Sequence, residues 1–386
     1  MPTKADSADH AVRGPPADAP FTVHSLEFDY PGNGAIQLQR HRFSVPLPPP
    51  SGGPSFGPLD DVTVPTESAR GTPVPSPEFV AGARSEPAAF VMGARPGVRA
   101  VLRRLPGYES GSYEIGAAGS HGVVRARRVL PVFGTSGLSD PIEFELSNPL
   151  PQRVDRLSLS LDWLARRAGS SSAPKAIGST THGIYLTAAH PVAPWQETMP
   201  WVDALELACT WAAGSTTTEE VAEAITRAVN GLPNLRYHAA ATFGGAIYLL
   251  SSFLWLLETG TGFHVNCTDC ANTVVAFANL LGCDLMEGRI FDLTTRRFLK
   301  LAGDPASDED WVSYEWNYHE LAWLHGMGPR RVVYDGCLQL DADENDADAV
   351  HVPELPATIP FERYRDLLVA DGPCALAHSP SRRAVA

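Results

Sequence analysis

Residues 267–282 read CTDCANTVVAFANLLG, and the interpretation of the fold begins from this stretch. Its apolar side chains recur at helical spacing and Gly282 stands where a helix would end, so the pattern predicts a buried helix that begins near Cys267. The apolar face comprises Ala271, Val274, Val275, Ala278 and Leu281. A thiol in the first helical turn meets unpaired backbone N–H groups and the positive end of the helix dipole, which favour the thiolate. Cys267 is therefore a candidate nucleophile.

Helices and strands on both sides of this segment predict an α+β domain over residues 195–370. Upstream, residues 201–214 and 217–231 have helical periodicity, and Thr217 and Glu220 have capping-box spacing. Residues 243–260 are apolar nearly all round, which predicts a buried helix. Downstream, strand-like runs extend to residue 340 and a last helix begins at 361.

The first part of the chain is rich in proline and in short β-like runs. Runs such as FTVHSLEF and PIEFELS, separated by Gly, Pro, Ser and Asn, predict a β-sandwich-like domain over 21–165. Residues 44–78 predict a Pro-rich loop within it, and the polar composition of 1–20 predicts a disordered N-terminus. Residues 371–386 are expected to form a flexible C-terminus.

Composition excludes several classes of protein. The net charge of -14 disfavours nucleic acid and anionic membranes as partners. The six cysteines in 386 residues are too sparse for a disulfide framework. The longest apolar stretch, AIYLLSSFLWLL, is shorter than the roughly 20 residues that span a bilayer, and no signal peptide is evident. These features together predict a cytoplasmic protein without a membrane partner, with secretion by an unrecognised route as the open alternative.

A histidine and an aspartate downstream could complete a catalytic site around Cys267. If 314–323 and 330–340 form a hairpin that turns about Met327, then Trp323 faces Arg331, Leu321 faces Val333 and His319 faces Asp335. Directly opposed side chains share a face, with Cβ atoms about 5 Å apart. A nucleophilic thiol needs such a base and a group to orient it. A slip of one residue would separate the two side chains.

These residues resemble the transglutaminase-like branch of the papain-like cysteine enzymes. Cys267, Asp269 and Ala271 match the C-x-D-x-A start of the family's buried helix, and Leu281-Gly282 match its end. His319 and Asp335 have the family's separation of about sixteen residues, and the segment TTEEVAEAITRAVNGLPNLRYH is similar to the helix and tyrosine that precede the nucleophile. The resemblance covers roughly 200–340.

The resemblance implies acyl transfer through a thioester at Cys267. His319 would carry a proton to the leaving amine and Asp335 would hold its tautomer. The implied partner is a protein or peptide with an amide carbonyl, attacked finally by water in a protease or deamidase, or by an amine in an amide-forming enzyme. The backbone N–H of Cys267 would donate to the oxyanion. Trp255 and Tyr237 are alternative candidates for its side-chain partner.

Other interpretations stay open at the level of sequence. The chain could carry an inactive transglutaminase-like domain that serves as a scaffold. Cys267 and Cys270 form a CxxC that could bind zinc with His319, Cys283 or Cys337, although no second compact knuckle is present. No cofactor is predicted, apart from a weak calcium site in the acidic run at Asp341, Asp343, Asp346 and Asp348.

Overall fold

The computed structural model describes residues 19–41, 71–119, 124–239, 243–244, 247–260, 262–295, 299–303, 311–324, 331–341, 351–369, 376–378 and 382–386. The chain has a mixed α+β fold. It divides into two compact units, the first formed by Met1–Leu38 and Pro73–Thr187 and the second by Gln39–Thr72 and Ala188–Ala386. Disorder was predicted for 1–20 and a Pro-rich loop for 44–78; of these segments, residues 1–18 and 44–70 lie outside the described residues.

The strands up to residue 187 are β1 (Phe21–Glu27), β2 (Gln39–Arg40), β3 (Thr72–Pro73), β4 (Phe79–Val80), β5 (Arg84–Ser85), β6 (Ala88–Val91), β7 (Gly97–Arg104), β8 (Tyr113–Gly119), β9 (Val124–Val129), β10 (Ile142–Glu145), β11 (Asp155–Arg167) and β12 (Lys175–Thr187).

The first unit contains two five-stranded sheets, of order β10-β7-β1-β4-β5 and β6-β12-β11-β8-β9. Buried side chains from both sheets form one apolar core, in which Phe144 and Trp163 meet edge to face with ring centroids 5.5 Å apart. In β11, DRLSLSLDWLARR, apolar and polar residues alternate, so every second side chain enters the core.

The first unit extends beyond the predicted limit at residue 165. That position lies within β11, and β12 pairs antiparallel with β11 along nearly its whole length, with Asp155 opposite Leu186. The structure therefore places the division at Thr187. The predicted boundary is too early because the segment 175–187, KAIGSTTHGIYLT, was not predicted to be a strand of the same sheet.

The elements after residue 187 are α1 (Trp195–Thr198), α2 (Val202–Trp211), α3 (Thr218–Asn230), β13 (Leu235–Tyr237), β14 (Ile247–Tyr248), α4 (Leu250–Thr259), β15 (Phe263–Val265), α5 (Cys267–Leu280), β16 (Leu285–Thr294), β17 (Leu299–Leu301), β18 (Glu315–Leu324), β19 (Val332–Tyr334), β20 (Leu338–Asp341), β21 (Pro353–Glu354), β22 (Ala357–Pro360), α6 (Phe361–Leu368), β23 (Leu376–His378) and β24 (Ala384–Val385).

The second unit is organised around α5, which lies against a five-stranded sheet of order β22-β19-β18-β16-β23. All fourteen residues of α5 are buried. The sequence predicted burial for only one face of this helix. The predicted helix after Thr217 is also present as α3: the Thr217 hydroxyl accepts from the Glu220 backbone N–H at 3.2 Å, and Gly231 ends the helix.

Two predictions in this unit are wrong in detail. The buried helix expected over 243–260 is shorter: α4 starts at Leu250 and ends where Gly260 adopts φ of 66°. Only Leu250, Phe253 and Leu254 in α4 are buried; Glu258 and Thr259 at its end are exposed, and the other five residues are half-buried. Within the C-terminus expected to be flexible, β23 pairs with Gly288–Ile290 of β16 and β24 pairs with β14.

No helix among the described residues has the length and apolar character needed to cross a bilayer.

Candidate active site

The N-terminus of α5 is fixed by a complete capping box. The Asn266 side chain accepts from the Asp269 backbone N–H at 3.0 Å, and the Asp269 carboxylate accepts from the Asn266 N–H at 3.1 Å. Cys267 is consequently the first residue of a rigid, fully buried helix. The sequence analysis missed this box, although an Asn followed by Asp three residues later could have indicated it.

Asp269 also organises the chain that precedes α4. Its Oδ1 accepts hydrogen bonds from the backbone N–H groups of Phe243, at 2.8 Å, and Gly244, at 2.6 Å. A Cβ at Gly244 would lie 2.6 Å from the Thr268 methyl group, so only glycine allows this close approach. Asp269, the aspartate of the C-x-D-x-A motif, thus holds a loop against the start of α5.

His319 and Asp335 are in direct contact. His319 Nε2 lies 2.7 Å from Asp335 Oδ2, and the two side chains are 0% and 1% exposed. A buried carboxylate beside Nε2 favours the imidazole tautomer with its proton on Nε2. Nδ1 is then available to accept a proton.

The pairing of strands that was expected to bring these residues together is wrong by two positions. In the structure Ala322 lies opposite Tyr334 and Trp323 opposite Val333. Asp335 is therefore not paired with His319; it follows the end of β19, where its N–H donates to the Pro356 carbonyl at 2.9 Å. Because an even shift keeps each side chain on its face, the two groups still meet. The assumed turn at 325–329 lies outside the described residues.

The Asp335 carboxylate has further donors that sequence reasoning did not find. The Cys337 backbone N–H donates to Oδ1 at 2.8 Å, and the Tyr364 hydroxyl donates to Oδ2 at 2.6 Å. Hydrogen bonds to an anionic carboxylate offset the cost of its burial. The contact between Asp335 and Cys337 is local, and its short spacing could have indicated a turn. The contact between Asp335 and Tyr364 leaves no signal in the sequence.

Cys267 lies beside the other ring nitrogen of His319. The two side chains interact electrostatically, and Nδ1 has no hydrogen-bond partner among the described residues. Burial lowers the pKa of His319, but the carboxylate of Asp335 and the Cys267 sulfur outweigh it and raise the pKa to about 10. His319 thus contacts Asp335 directly and interacts electrostatically with Cys267.

Aromatic rings cover the imidazole on one side. The Trp316 ring stacks on His319 with centroids 5.0 Å apart and planes at 19°, and Tyr314 stacks on Trp316 at 5.1 Å and 14°. A flat apolar cover limits the access of water to the His319–Asp335 hydrogen bond.

The two candidates for an oxyanion donor are placed differently. The Tyr237 hydroxyl interacts electrostatically with Cys337, Cys267 and Cys270, and burial raises its pKa, so it stays protonated and able to donate. Trp255 lies on α4 and is partly exposed, and no contact among the described residues joins it to Cys267.

Beside Thr268, the residue after the nucleophile, lies a buried cluster of charged groups. Glu320 Oε2 accepts from the Thr268 hydroxyl at 2.8 Å and from Arg289 Nε at 2.9 Å. Arg383 binds Glu320 at 2.7 Å and Glu287 at 2.8 Å. Burial raises the pKa of Glu287 to about 7, against the opposing effect of Arg383. Sequence reasoning missed this cluster because its members are distant in the chain.

The remaining cysteines do not assemble a metal site in the part of the chain that the structure describes. Cys270 and Cys337 are buried and interact electrostatically with each other, and Cys283 is buried with its thiol 3.2 Å from the Thr218 carbonyl. No group of three or more His, Cys, Asp or Glu side chains among the described residues is arranged to hold a metal ion.

Of the candidate calcium ligands, only Asp341 belongs to the described residues. It is 2% exposed, and its carboxylate accepts from His351 Nδ1 at 2.7 Å and from the Val352 N–H at 3.0 Å. Protein donors therefore occupy its oxygens. Asp343, Asp346 and Asp348 lie outside the described residues.

Comparison with known proteins gives little beyond this geometry. No protein-family model and no curated protein matches the chain. Among solved structures, red sea bream transglutaminase is similar at a TM-score of 0.39 and 12% sequence identity, over 70% of this chain and 51% of that one. The chain thus spans about half the length of that transglutaminase.

Proposed function

We propose that the second unit is a transglutaminase-like domain that catalyses acyl transfer or hydrolysis at an amide through a thioester at Cys267. The observation that supports this most is the 2.7 Å contact of the His319 imidazole with the Asp335 carboxylate, together with the electrostatic interaction of that imidazole with Cys267 at the start of α5. In this proposal the first unit is a β-sandwich attached to a papain-like α+β domain, and the protein acts on a protein or peptide substrate in the cytoplasm.

Each side chain has a separate role in the proposed reaction. The thiolate of Cys267 attacks the amide carbonyl, and the carbon–sulfur bond forms as the carbonyl oxygen becomes an oxyanion. The Cys267 backbone N–H, which has no partner within the first helical turn, and the Tyr237 hydroxyl donate to that oxyanion. The imidazolium of His319 then protonates the leaving amine, and the C–N bond breaks to leave the thioester.

The second half of the reaction decides the class of enzyme. His319, now neutral at Nδ1, accepts a proton from water or from an incoming amine, which attacks the thioester and releases Cys267. Water yields a protease or a deamidase, and an amine yields a new amide. Asp335 keeps the imidazole ring oriented through both halves.

The test offers the purified protein a library of glutamine-containing peptides with and without a fluorescent primary amine. Amine incorporation would identify a transferase, ammonia release without incorporation a deamidase, and chain cleavage a protease. Cys267→Ala should abolish each product, whereas Cys283→Ala, which alters a buried thiol outside the site, should retain it. A product that persists in Cys267→Ala would overturn the proposal.

An inactive scaffold remains the rival to this function. It predicts that no thioester forms with any peptide and that Cys267→Ala leaves target binding unchanged. Mass spectrometry for a covalent acyl adduct on Cys267 after acid quenching separates the two proposals directly.

A further inference from the structure

Tyr364 contacts the third residue of the proposed triad and has no role in the chemistry described so far. Its hydroxyl donates to Asp335 Oδ2 at 2.6 Å, the same oxygen that lies 2.7 Å from His319 Nε2. The Tyr364 side chain is 0% exposed. The phenol and the imidazole thus share one carboxylate oxygen within the protein interior.

The short helix α6 places this phenol. Of its eight residues only Tyr364 and Leu368 are buried, so the helix presents little apolar surface to its unit apart from these two side chains. Its first residue is held by a hydrogen bond from the Phe361 N–H to the Arg331 carbonyl at 2.7 Å, directly before β19. The start of α6 is therefore tied to the strand that leads to Asp335.

The Asp335 carboxylate is surrounded on several sides. The titratable groups that face it are His319 from β18, Tyr364 from α6, Cys270 from α5 and Cys337 from the turn after β19. Two of these, His319 and Tyr364, contact Oδ2, while a backbone N–H occupies Oδ1. The plane of the carboxylate is thereby fixed from two directions.

We propose that Tyr364 is a positioning residue for the triad: its hydroxyl fixes the Asp335 carboxylate so that Oδ2 meets His319 Nε2–H and the imidazole that serves Cys267 keeps one orientation. This inference rests on the proposed function. Burial and the neighbouring carboxylate raise the pKa of Tyr364, so the phenol is a neutral donor at neutral pH.

Removal of the hydroxyl has two physical consequences. The carboxylate loses a donor that stabilises its charge, so it becomes a stronger acceptor for the imidazole proton and the His319–Asp335 bond shortens. The carboxylate also gains freedom to rotate, which disperses the orientation of the ring and lowers the reactivity of Cys267.

The test compares Tyr364→Phe with Tyr334→Phe. Tyr334 is also buried, at 1% exposure, and immediately precedes Asp335, but its phenol interacts electrostatically with Cys283 and Glu219 instead of the triad. Proton NMR at low field follows the His319 Nε2–H, and iodoacetamide at pH 6 measures the rate of Cys267 alkylation, with each site mapped by mass spectrometry. Tyr364→Leu supplies a second variant without the hydroxyl if the phenylalanine variant is unstable.

In Tyr364→Phe we expect the Nε2 proton to move downfield and Cys267 alkylation to slow roughly three- to tenfold, the range that corresponds to one lost hydrogen bond. Tyr334→Phe should leave both unchanged. An unmoved proton signal together with unchanged alkylation in the Tyr364 variants would overturn the inference while the proposed function stands. A wild-type protein whose Cys267 is unreactive would overturn both.

Discussion

Asp335 contacts His319 at 2.7 Å although the two residues are not opposite each other on paired strands. The contact is made from the end of β19, where Asp335 turns away from the strand and is held by the Pro356 carbonyl, the Cys337 N–H and the Tyr364 hydroxyl. The geometry of the proposed triad therefore depends on these local hydrogen bonds as well as on the register of the sheet.

Replacement of Asp335 by Asn should reduce the reactivity of Cys267. The neutral amide removes the charge that supports the imidazolium and can select the wrong tautomer, so alkylation by iodoacetamide at pH 6 should slow by roughly a hundredfold or more. Asp341→Asn is the matched control, because Asp341 is also buried and lies 2.7 Å from a histidine, His351. Equal alkylation rates in the two variants would argue against the role assigned to Asp335.

Replacement of Asp269 by Ala should destabilise the second unit. The substitution leaves the backbone N–H groups of Phe243, Gly244 and Asn266 without their acceptor in a buried setting. We expect a loss of about 2–4 kcal/mol in the free energy of unfolding, measured by urea denaturation. Asp366→Ala on the exposed surface of α6 should change it by less than about 0.5 kcal/mol. Similar values for both would contradict the capping role.

The pKa of Glu287, raised to about 7 from an ordinary 4.5, predicts a pH dependence of stability. Between these values the folded state holds a proton that the unfolded state has lost, so the free energy of unfolding should fall as pH rises from about 4.5 to 7. The contribution is of the order of 3 kcal/mol. Glu287→Gln should flatten the curve in this window.

The titration of His319 predicts a second pH dependence of stability, at higher pH than that of Glu287. The raised pKa of His319 contributes stability that is present below about 6.5 and is lost as pH rises through about 10. His319→Asn should remove the pH dependence of this upper window and leave the lower one unchanged. Urea denaturation at intervals from pH 4.5 to 10 tests both; an unaltered lower window in Glu287→Gln would refute the assignment to Glu287.

Much of α5 could be predicted from the sequence because its determinants are local. Apolar spacing, a cysteine at its start and Gly282 at its end all lie within sixteen residues. The sheet face on which His319 and Asp335 lie could be predicted too. Side chains alternate along a strand, so a register error of two residues does not change the face. The register itself depended on a turn that the residues do not specify.

The contacts that could not be predicted join residues far apart in the chain. Arg383 meets Glu287 and Glu320 across 96 and 63 residues, and Tyr364 meets Asp335 from a separate helix. No spacing rule connects such pairs. The extent of β12 was missed for another reason, since its sequence contains glycine, serine and threonine that also occur in loops.

Replacement of Arg383 by Met should show how far the charged cluster supports the site. It would leave the buried carboxylate of Glu320 paired with Arg289 alone, and that of Glu287 without a cation in ion-pair contact among the described residues. We expect the free energy of unfolding to fall by about 3–5 kcal/mol. Arg365→Met, at an exposed pair with Asp366, is the control and should have little effect. Equal losses would show that the cluster contributes no more than a surface pair.

The pH dependence of Cys267 alkylation tests the central claim most directly. Iodoacetamide is applied from pH 5 to 9 and modification is mapped separately at Cys267, Cys270 and Cys283 by mass spectrometry. The account predicts that Cys267 reacts rapidly at pH 6, far faster than a free model thiol, and that His319→Asn abolishes this advantage. Cys270 and Cys283 should stay unmodified in the folded protein, because burial raises the pKa of both thiols, in Cys270 against the opposing effect of Cys337. A Cys267 that reacts no faster than the model thiol at pH 6, with or without His319, would contradict it.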